Sequence, residues 1–137
     1  MTEIIDITPK LREYLLDTDS ISEIVENRIY AGEIPLDKVG DAKQVSKPKV
    51  SFRQNGGDPK GMNYRYTFVC RCDSLKEARE LAILIANRLT KDNFSLESDD
   101  GENLSYWAEI EGSLLDSTDE VTGLPEVFFN VNFEALQ

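Results

Sequence analysis

The spacing of apolar side chains along the chain predicts three helices. The first begins near Thr8, where apolar residues three or four positions apart form a single stripe. The second is short and begins at Ser20, which together with Glu23 has the spacing of a capping box. Ser74 and Glu77 repeat that spacing at the start of the third helix, which carries the strongest apolar stripe. We therefore expect the third helix to be packed over much of its circumference.

Alternation of apolar and polar residues predicts strands in the rest of the chain. Four strands cover 49–53, 64–72, 105–114 and 125–135, and a short extended piece lies at 27–32. The order α-α-β-β-α-β-β predicts a single α+β domain over residues 1–137, in which helices pack on one face of an antiparallel four- to five-stranded sheet. The polar stretches are predicted to be loops, at 37–48, 54–63 and 92–104.

The same alternation gives the sheet a second, mostly polar face. Its charged residues are arginines on the earlier strands and glutamates on the later ones: Arg53, Arg65, Arg71, Glu109, Glu111, Glu126 and Glu134. Opposite charges on neighbouring strands stabilise a sheet modestly. Val69, Trp107 and Phe128 belong to this face as well. An apolar cluster on a polar face indicates a protein interface, and the alternative is that loops of this chain cover it.

The residue types argue against the common forms of enzyme chemistry. The chain has no histidine, which removes the usual general base near neutral pH and the commonest metal ligand. Cys70 and Cys72 lie two apart in a predicted strand, so we expect reduced core thiols, with a redox or metal role as the alternative. The sequence has neither a phosphate-binding glycine loop nor EF-hand spacing. We therefore predict a protein that is not an enzyme and uses no metal or cofactor.

Charge is distributed unevenly along the chain. The formal net charge is −11, with 14 acidic and 15 basic residues up to Lys91, and 12 acidic residues and no Lys or Arg from Asp92 onward. An acidic surface disfavours specific binding to nucleic acid or to an anionic membrane. No apolar run approaches the ~18 residues of a membrane-spanning helix, and the first residues lack the apolar core of a signal peptide. These features predict a protein that is made in a cytoplasm.

One segment of the sequence is distinctive. Residues 27–35 read Asn-Arg-Ile-Tyr-Ala-Gly-Glu-Ile-Pro. With the leading helix, they resemble the Arg-Ile-Tyr-x-Gly-x-x-Pro element of tail-completion, or tail-terminator, proteins of long-tailed bacteriophages. The resemblance continues through the strands at 50–52 and 64–70, the helix at 77–82 and the two closing strands, so it covers nearly the whole chain. The polar stretch 37–48 is longer than the family pattern has at that place.

This resemblance implies a structural role without catalytic residues. Proteins of the family form a ring, typically hexameric, on the head-proximal end of the finished tail, where they stop tube polymerisation and present a surface for the DNA-filled head. The implied partners are further copies of the chain, the tail tube protein and a head–tail connector or head-closure protein. DNA would pass through without specific binding, and the location would be the virion. The alternatives are a head-closure or minor tail protein of similar fold, and a small-molecule-binding or enzymatic α+β domain.

A ring needs two different patches on each protomer. We expect a basic segment to meet the acidic C-terminal third, either across protomers or against tail proteins. The predicted interface residues are Lys38, Lys43, Lys47, Lys49, Arg53, Asn55, Asp58, Lys60, Val69, Trp107 and Phe128. The acids predicted to face the lumen are Glu97, Asp99, Asp100, Glu102, Asp116, Asp119 and Glu120. Carboxylates offer DNA no attractive sites, and the alternative is that these acids only keep the surface soluble.

Overall fold

The structure is a computed structural model that describes residues 6–34, 47–58, 63–91, 94–97 and 103–135. Its helices are α1 (Thr8–Leu16), α2 (Asp19–Val25) and α3 (Leu75–Thr90). Its strands are β1 (Ile29–Ala31), β2 (Lys49–Asp58), β3 (Asn63–Arg71), β4 (Phe94–Glu97), β5 (Asn103–Thr118) and β6 (Pro125–Ala135). The described residues therefore follow the order α-α-β-β-β-α-β-β-β.

The strands form one mixed sheet of six strands in the order β1-β2-β3-β6-β5-β4. β1 runs parallel to β2, and the other neighbouring pairs are antiparallel. The prediction of an antiparallel four- to five-stranded sheet in the order α-α-β-β-α-β-β is therefore wrong. β1 has three residues, too few for alternation to identify it as a paired strand, and β4 lies within the polar stretch 92–104 that predicted a loop.

The sheet curves into a half-barrel around the helices. α1 packs against both β1 and β4, which are the two opposite edges of the sheet. α3 packs against β3, β5 and β6 in the middle of the sheet. The helices therefore lie on the concave face, and the opposite face of the sheet, called the open face below, is where the predicted polar residues lie.

Aromatic rings from three strands form the centre of the core. Phe52, Phe68 and Phe129 lie in one register row and stack, with neighbouring ring centroids 5.3 and 5.5 Å apart. Tyr66 meets Phe133 edge to face at 5.7 Å. Each such pair contributes about 0.5–1.5 kcal/mol beyond the burial of its area. α3 covers these rings with its buried residues, which are Ala78, Leu81, Ala82, Ile85, Ala86 and Leu89.

Of the two predicted capping boxes, the one at Ser74 is confirmed and the one at Ser20 is wrong. At α3 the prediction is confirmed, because the Ser74 hydroxyl oxygen accepts a hydrogen bond from the backbone N–H of Glu77 at 3.2 Å. The capping box at Ser20 is wrong, because α2 begins one residue earlier, directly after Thr18. The hydroxyl of Thr18 instead accepts a hydrogen bond from Arg88 Nε at 2.8 Å. That bond ties the junction of α1 and α2 to α3.

Two arginines hold the turn between α2 and β1. Arg12 Nε donates to the carbonyl of Ile29 at 2.7 Å. Arg28 Nε donates to the carbonyl of Pro48 at 2.9 Å, and its guanidinium pairs with Glu26 at 2.9 Å. Arg28 is only 8% exposed and Ile29 is fully buried. The Arg-Ile-Tyr element is therefore structural in this chain, since it joins the end of α2 to the start of β2.

The β2–β3 hairpin extends well into the predicted loop 54–63. Both strands continue past a bulge between Gln54 and Gly56. Gly57 follows with a φ of +95°, and a Cβ atom at this position would lie 2.5 Å from the carbonyl oxygen of Asn63. Only glycine fits such a position without displacing the opposite strand. The glycines of this segment therefore allow close strand pairing, where the sequence predicts a loop.

Candidate functional site

A network of uncharged polar side chains crosses the middle of the open face. At its centre, strand register places Thr67 on β3 opposite Asn130 on β6. The same row continues to Arg53 on β2 at one end and to Glu111 on β5 at the other. The Thr67 hydroxyl donates to Asn130 Oδ1 at 2.6 Å, and the amide of Asn55 donates to both of these residues. Side chains that bond to one another across three strands hold this part of the face in one arrangement.

Next to this network, Glu111 connects β3 to β5. Arg65 Nη2 donates to Glu111 Oε1 at 3.1 Å, and Asn132 Nδ2 donates to Oε2 of the same carboxylate at 3.0 Å. Arg65 Nε lies 3.0 Å from Oε2. This pair reaches across β6, which lies between β3 and β5. The predicted pairing of an arginine with a glutamate on a neighbouring strand is confirmed instead at Arg71 on β3 and Glu126 on β6.

Arg71 forms a second and more buried charge cluster. Its Nη2 lies 2.9 Å from Glu126 Oε2 and 3.2 Å from Asp119 Oδ1, and Nε donates to Glu126 at 2.9 Å. The three side chains are only 13–18% exposed. Burial by itself raises the pKa of Asp119, but hydrogen bonds from Thr122 and the charge of Arg71 outweigh burial and lower this pKa below its ordinary value. The cluster fastens the β5–β6 turn to the sheet.

A groove of about 490 Å³ lies on the open face between the β5–β6 turn and the end of β1. Its apolar lining includes Ile34, Val69 and Val121, and its charged lining includes Glu33, Arg53 and the Arg71 cluster. Val121 is 76% exposed. Arg53 is exposed as well, and it makes no ion pair with any other residue that the structure describes. The groove therefore offers an available cation beside apolar walls.

An apolar row crosses the open face near this groove. Register aligns Leu115, Phe128 and Val69 on β5, β6 and β3, and Leu115 is 48% exposed. Trp107 lies opposite Glu134, six residues along β6 from Phe128, or roughly 20 Å at the rise of a strand. The prediction that Val69, Trp107 and Phe128 form one cluster is therefore wrong. Alternation predicts the face on which a side chain lies, but it does not predict which residues of neighbouring strands lie opposite each other.

The predicted interface residues lie in different environments. Arg53, Asn55 and Asp58 are exposed on β2, Trp107 is 50% exposed, and Lys47, Val69 and Phe128 are half-buried. Lys49 is only 3% exposed, so its charge does not contribute to an exposed basic patch. Lys38, Lys43 and Lys60 lie outside the described residues.

Several acids of the C-terminal third find partners within the chain. Asp116, a predicted lumen acid, lies 2.6 Å from Arg79 of α3, and Asp119 binds Arg71. Glu120 is exposed in the β5–β6 turn. Glu97 belongs to β4, and its side chain is outside the described part, as are Asp99, Asp100 and Glu102. The fold therefore balances part of the charge asymmetry internally, because β5 and β6 lie beside β3 and α3.

Buried thiols complete the inventory of reactive groups. Cys70 and Cys72 are free and buried, which confirms the prediction of reduced core thiols. Burial raises the pKa of both, to about 12 for Cys72. Among the residues described, no group of three or more His, Cys, Asp or Glu side chains is placed to hold a metal ion. In that same part of the chain, no helix has the length and hydropathy that crossing a bilayer requires.

Comparison with solved structures finds this fold in a phage-like particle. The chain is similar to a component of the virion of a native gene transfer agent (GTA) particle, with a TM-score of 0.63 and 12% sequence identity. The similarity covers 94% of this chain and 93% of that component. No protein-family model and no curated protein sequence matches the chain. At this identity, the similarity establishes the fold.

Proposed function

We propose that this chain is a virion structural protein that caps the head-proximal end of a phage tail tube. It ends polymerisation of the tube and provides the surface for head attachment, as a ring of identical copies. The observation that carries the proposal is the similarity of fold, over nearly the whole of both chains, to a component of a gene transfer agent virion. The Arg-Ile-Tyr-x-Gly-x-x-Pro element of residues 27–35 points to the same class of protein.

The open face suits a protein partner better than a small ligand. Its polar side chains are bonded to one another across strands, which leaves a preorganised surface with an apolar row beside the groove. Most charged groups of the groove belong to the Arg71 cluster and already bind each other. A small-molecule site instead combines an apolar pocket with convergent polar groups that remain available to the ligand.

We keep fewer residues in the two predicted patches, the interface residues and the lumen-facing acids, than the sequence suggests. Exposed interface residues are Arg53, Asn55, Asp58 and Trp107. Among the acids proposed for the lumen, Asp116 and Asp119 are neutralised by arginines of the same chain. The proposed lumen acids are therefore Glu97, Asp99, Asp100, Glu102 and Glu120.

Electron microscopy of particles assembled without this chain tests the proposal. A protein that ends tube polymerisation predicts tails of abnormal and variable length without attached heads. Tails of normal length that lack heads would indicate a head-closure or joining protein instead. Normal particles would contradict a structural role in the virion, and would direct attention to a small ligand in the groove.

A further inference from the structure

An exposed tryptophan lies between two carboxylates at one end of the open face. Trp107 on β5 is 50% exposed and lies directly opposite Glu134 on β6. Glu109 follows two residues later on the same face, opposite Asn132. Both glutamates are exposed, and neither forms an ion pair with another residue that the structure describes. We call Trp107, Glu109 and Glu134 the acidic Trp patch.

The chemistry of this patch suits a cationic side chain. The face of an indole ring attracts a guanidinium or ammonium group, and flanking carboxylates add charge-assisted hydrogen bonds. Trp and Arg are also the residues that most often dominate the energy of protein interfaces. Asn132 is not available to a partner in the same way, because its amide donates to Glu111.

The arginines of the open face differ in whether they are available. Arg65 is bound to Glu111, and Arg71 is bound to Glu126 and Asp119. Arg53 is exposed at the edge of the groove, with no ion pair among the described residues. Acidic side chains also line the groove. Asp119 and Glu126 already bind Arg71, and Glu33 lies outside the Arg71 cluster.

Arg53 cannot reach the acidic Trp patch of its own chain. β2 is separated from β5 by β3 and β6, which at ~4.8 Å per strand gives roughly 14 Å across the sheet. Arg53 also lies in the same row as Glu111. Glu111 is four residues from Trp107 on β5, which adds a separation of roughly 13 Å along the strand direction. The diagonal of roughly 19 Å is far longer than one side chain.

We propose that the acidic Trp patch of one copy binds Arg53 of a second copy of this chain. A contact that joins the acidic Trp patch of each copy to Arg53 of the next is heterologous, which is the type of contact that closes into a ring, whereas two copies that each bind the other's Arg53 would form a two-fold dimer. This inference rests on the proposed ring and names the residues that would join its protomers.

Charge reversal tests this contact. We expect Arg53→Glu, and separately Glu109→Arg with Glu134→Arg, to raise the concentration needed for assembly by roughly tenfold or more, measured by light scattering. The variant carrying all three changes should assemble again. A 1:1 mixture of the two defective proteins should also assemble, because each supplies the patch that the other can bind, and closed rings would then hold an even number of alternating copies.

Trp107 supplies an independent readout, since it is the chain's single tryptophan. Its emission should shift to shorter wavelength over the same concentration range in which wild-type protein assembles, because the ring becomes covered. Lys76→Glu, at an exposed site on α3, is the matched control and should change neither assembly nor emission. Thermal unfolding of each variant establishes that it is folded.

Two results would overturn the inference, and they bear differently on the proposed function. If wild-type rings form and the reversals at Arg53 or at the two glutamates leave assembly and emission unchanged, this contact is wrong and the ring proposal stands. If wild-type protein shows no self-association at any concentration, there is no second copy to bind, and tail length in particles without the chain then tests the proposed function separately.

Discussion

Replacing Arg71 by methionine tests whether charge holds the β5–β6 turn against the sheet. The substitution keeps a long side chain and removes the contacts at 2.9 Å to Glu126 and at 3.2 Å to Asp119. Since all three side chains are 13–18% exposed, two largely buried carboxylates lose their shared cation. Breaking a fully buried pair costs about 3–5 kcal/mol, and an exposed pair contributes below about 1 kcal/mol. We therefore expect a loss of about 2–3 kcal/mol, or a Tm lower by roughly 6–12 °C.

Urea unfolding followed by circular dichroism measures this loss. The matched control is Arg65→Met, because the Arg65–Glu111 pair lies on the same face with side chains 35% and 47% exposed. It should cost below about 1 kcal/mol. Combining Arg71→Met with Asp119→Asn and Glu126→Gln should recover much of the stability, since no unpaired charge then remains. If Arg71→Met costs no more than Arg65→Met, the argument from burial is wrong.

Three further predictions follow from backbone geometry and titration. Gly57→Ala should destabilise the protein by about 1–3 kcal/mol more than Gly112→Ala, measured by urea unfolding, because both glycines have positive φ but only at Gly57 would a Cβ overlap the opposite strand. The pKa of Asp119 is lower folded than unfolded, so its carboxylate stabilises the fold above about pH 4, and this contribution is lost as the pH falls through the lower folded-state value. In acid titrations of stability, Asp119→Asn should therefore show a smaller decline below about pH 4. Burial raises the pKa of Cys70 and Cys72, so alkylation at neutral pH should follow unfolding, and rapid alkylation of native protein would contradict their burial.

Elements with a long, regular pattern could be predicted from the sequence. Alternation predicts the last strand over 125–135, and the structure has Pro125–Ala135, because alternating residues lie on a sheet with one buried face. The start at Ser74 is similar, since a local hydrogen bond to the Glu77 N–H determines it. Such features depend on neighbours along the chain, which the sequence displays directly.

Features that depend on distant neighbours could not be predicted in the same way. β1 and β4 have three and four residues, and their strand character depends on pairing with β2 and β5. Trp107 and Phe128 share a face but lie in different rows, because register is set by how β5 and β6 pair. Asp119 lies in a turn, where alternation predicts no partner, and only the fold brings it to Arg71.

Gold labelling of this chain in intact particles tests the central claim most directly. A label at a surface-exposed position, viewed by electron microscopy, should lie at the junction between the tail and the head in every labelled particle. A label distributed along the tube, confined to the distal end of the tail, or absent from purified particles would contradict the claim that this chain caps the head-proximal end of the tail.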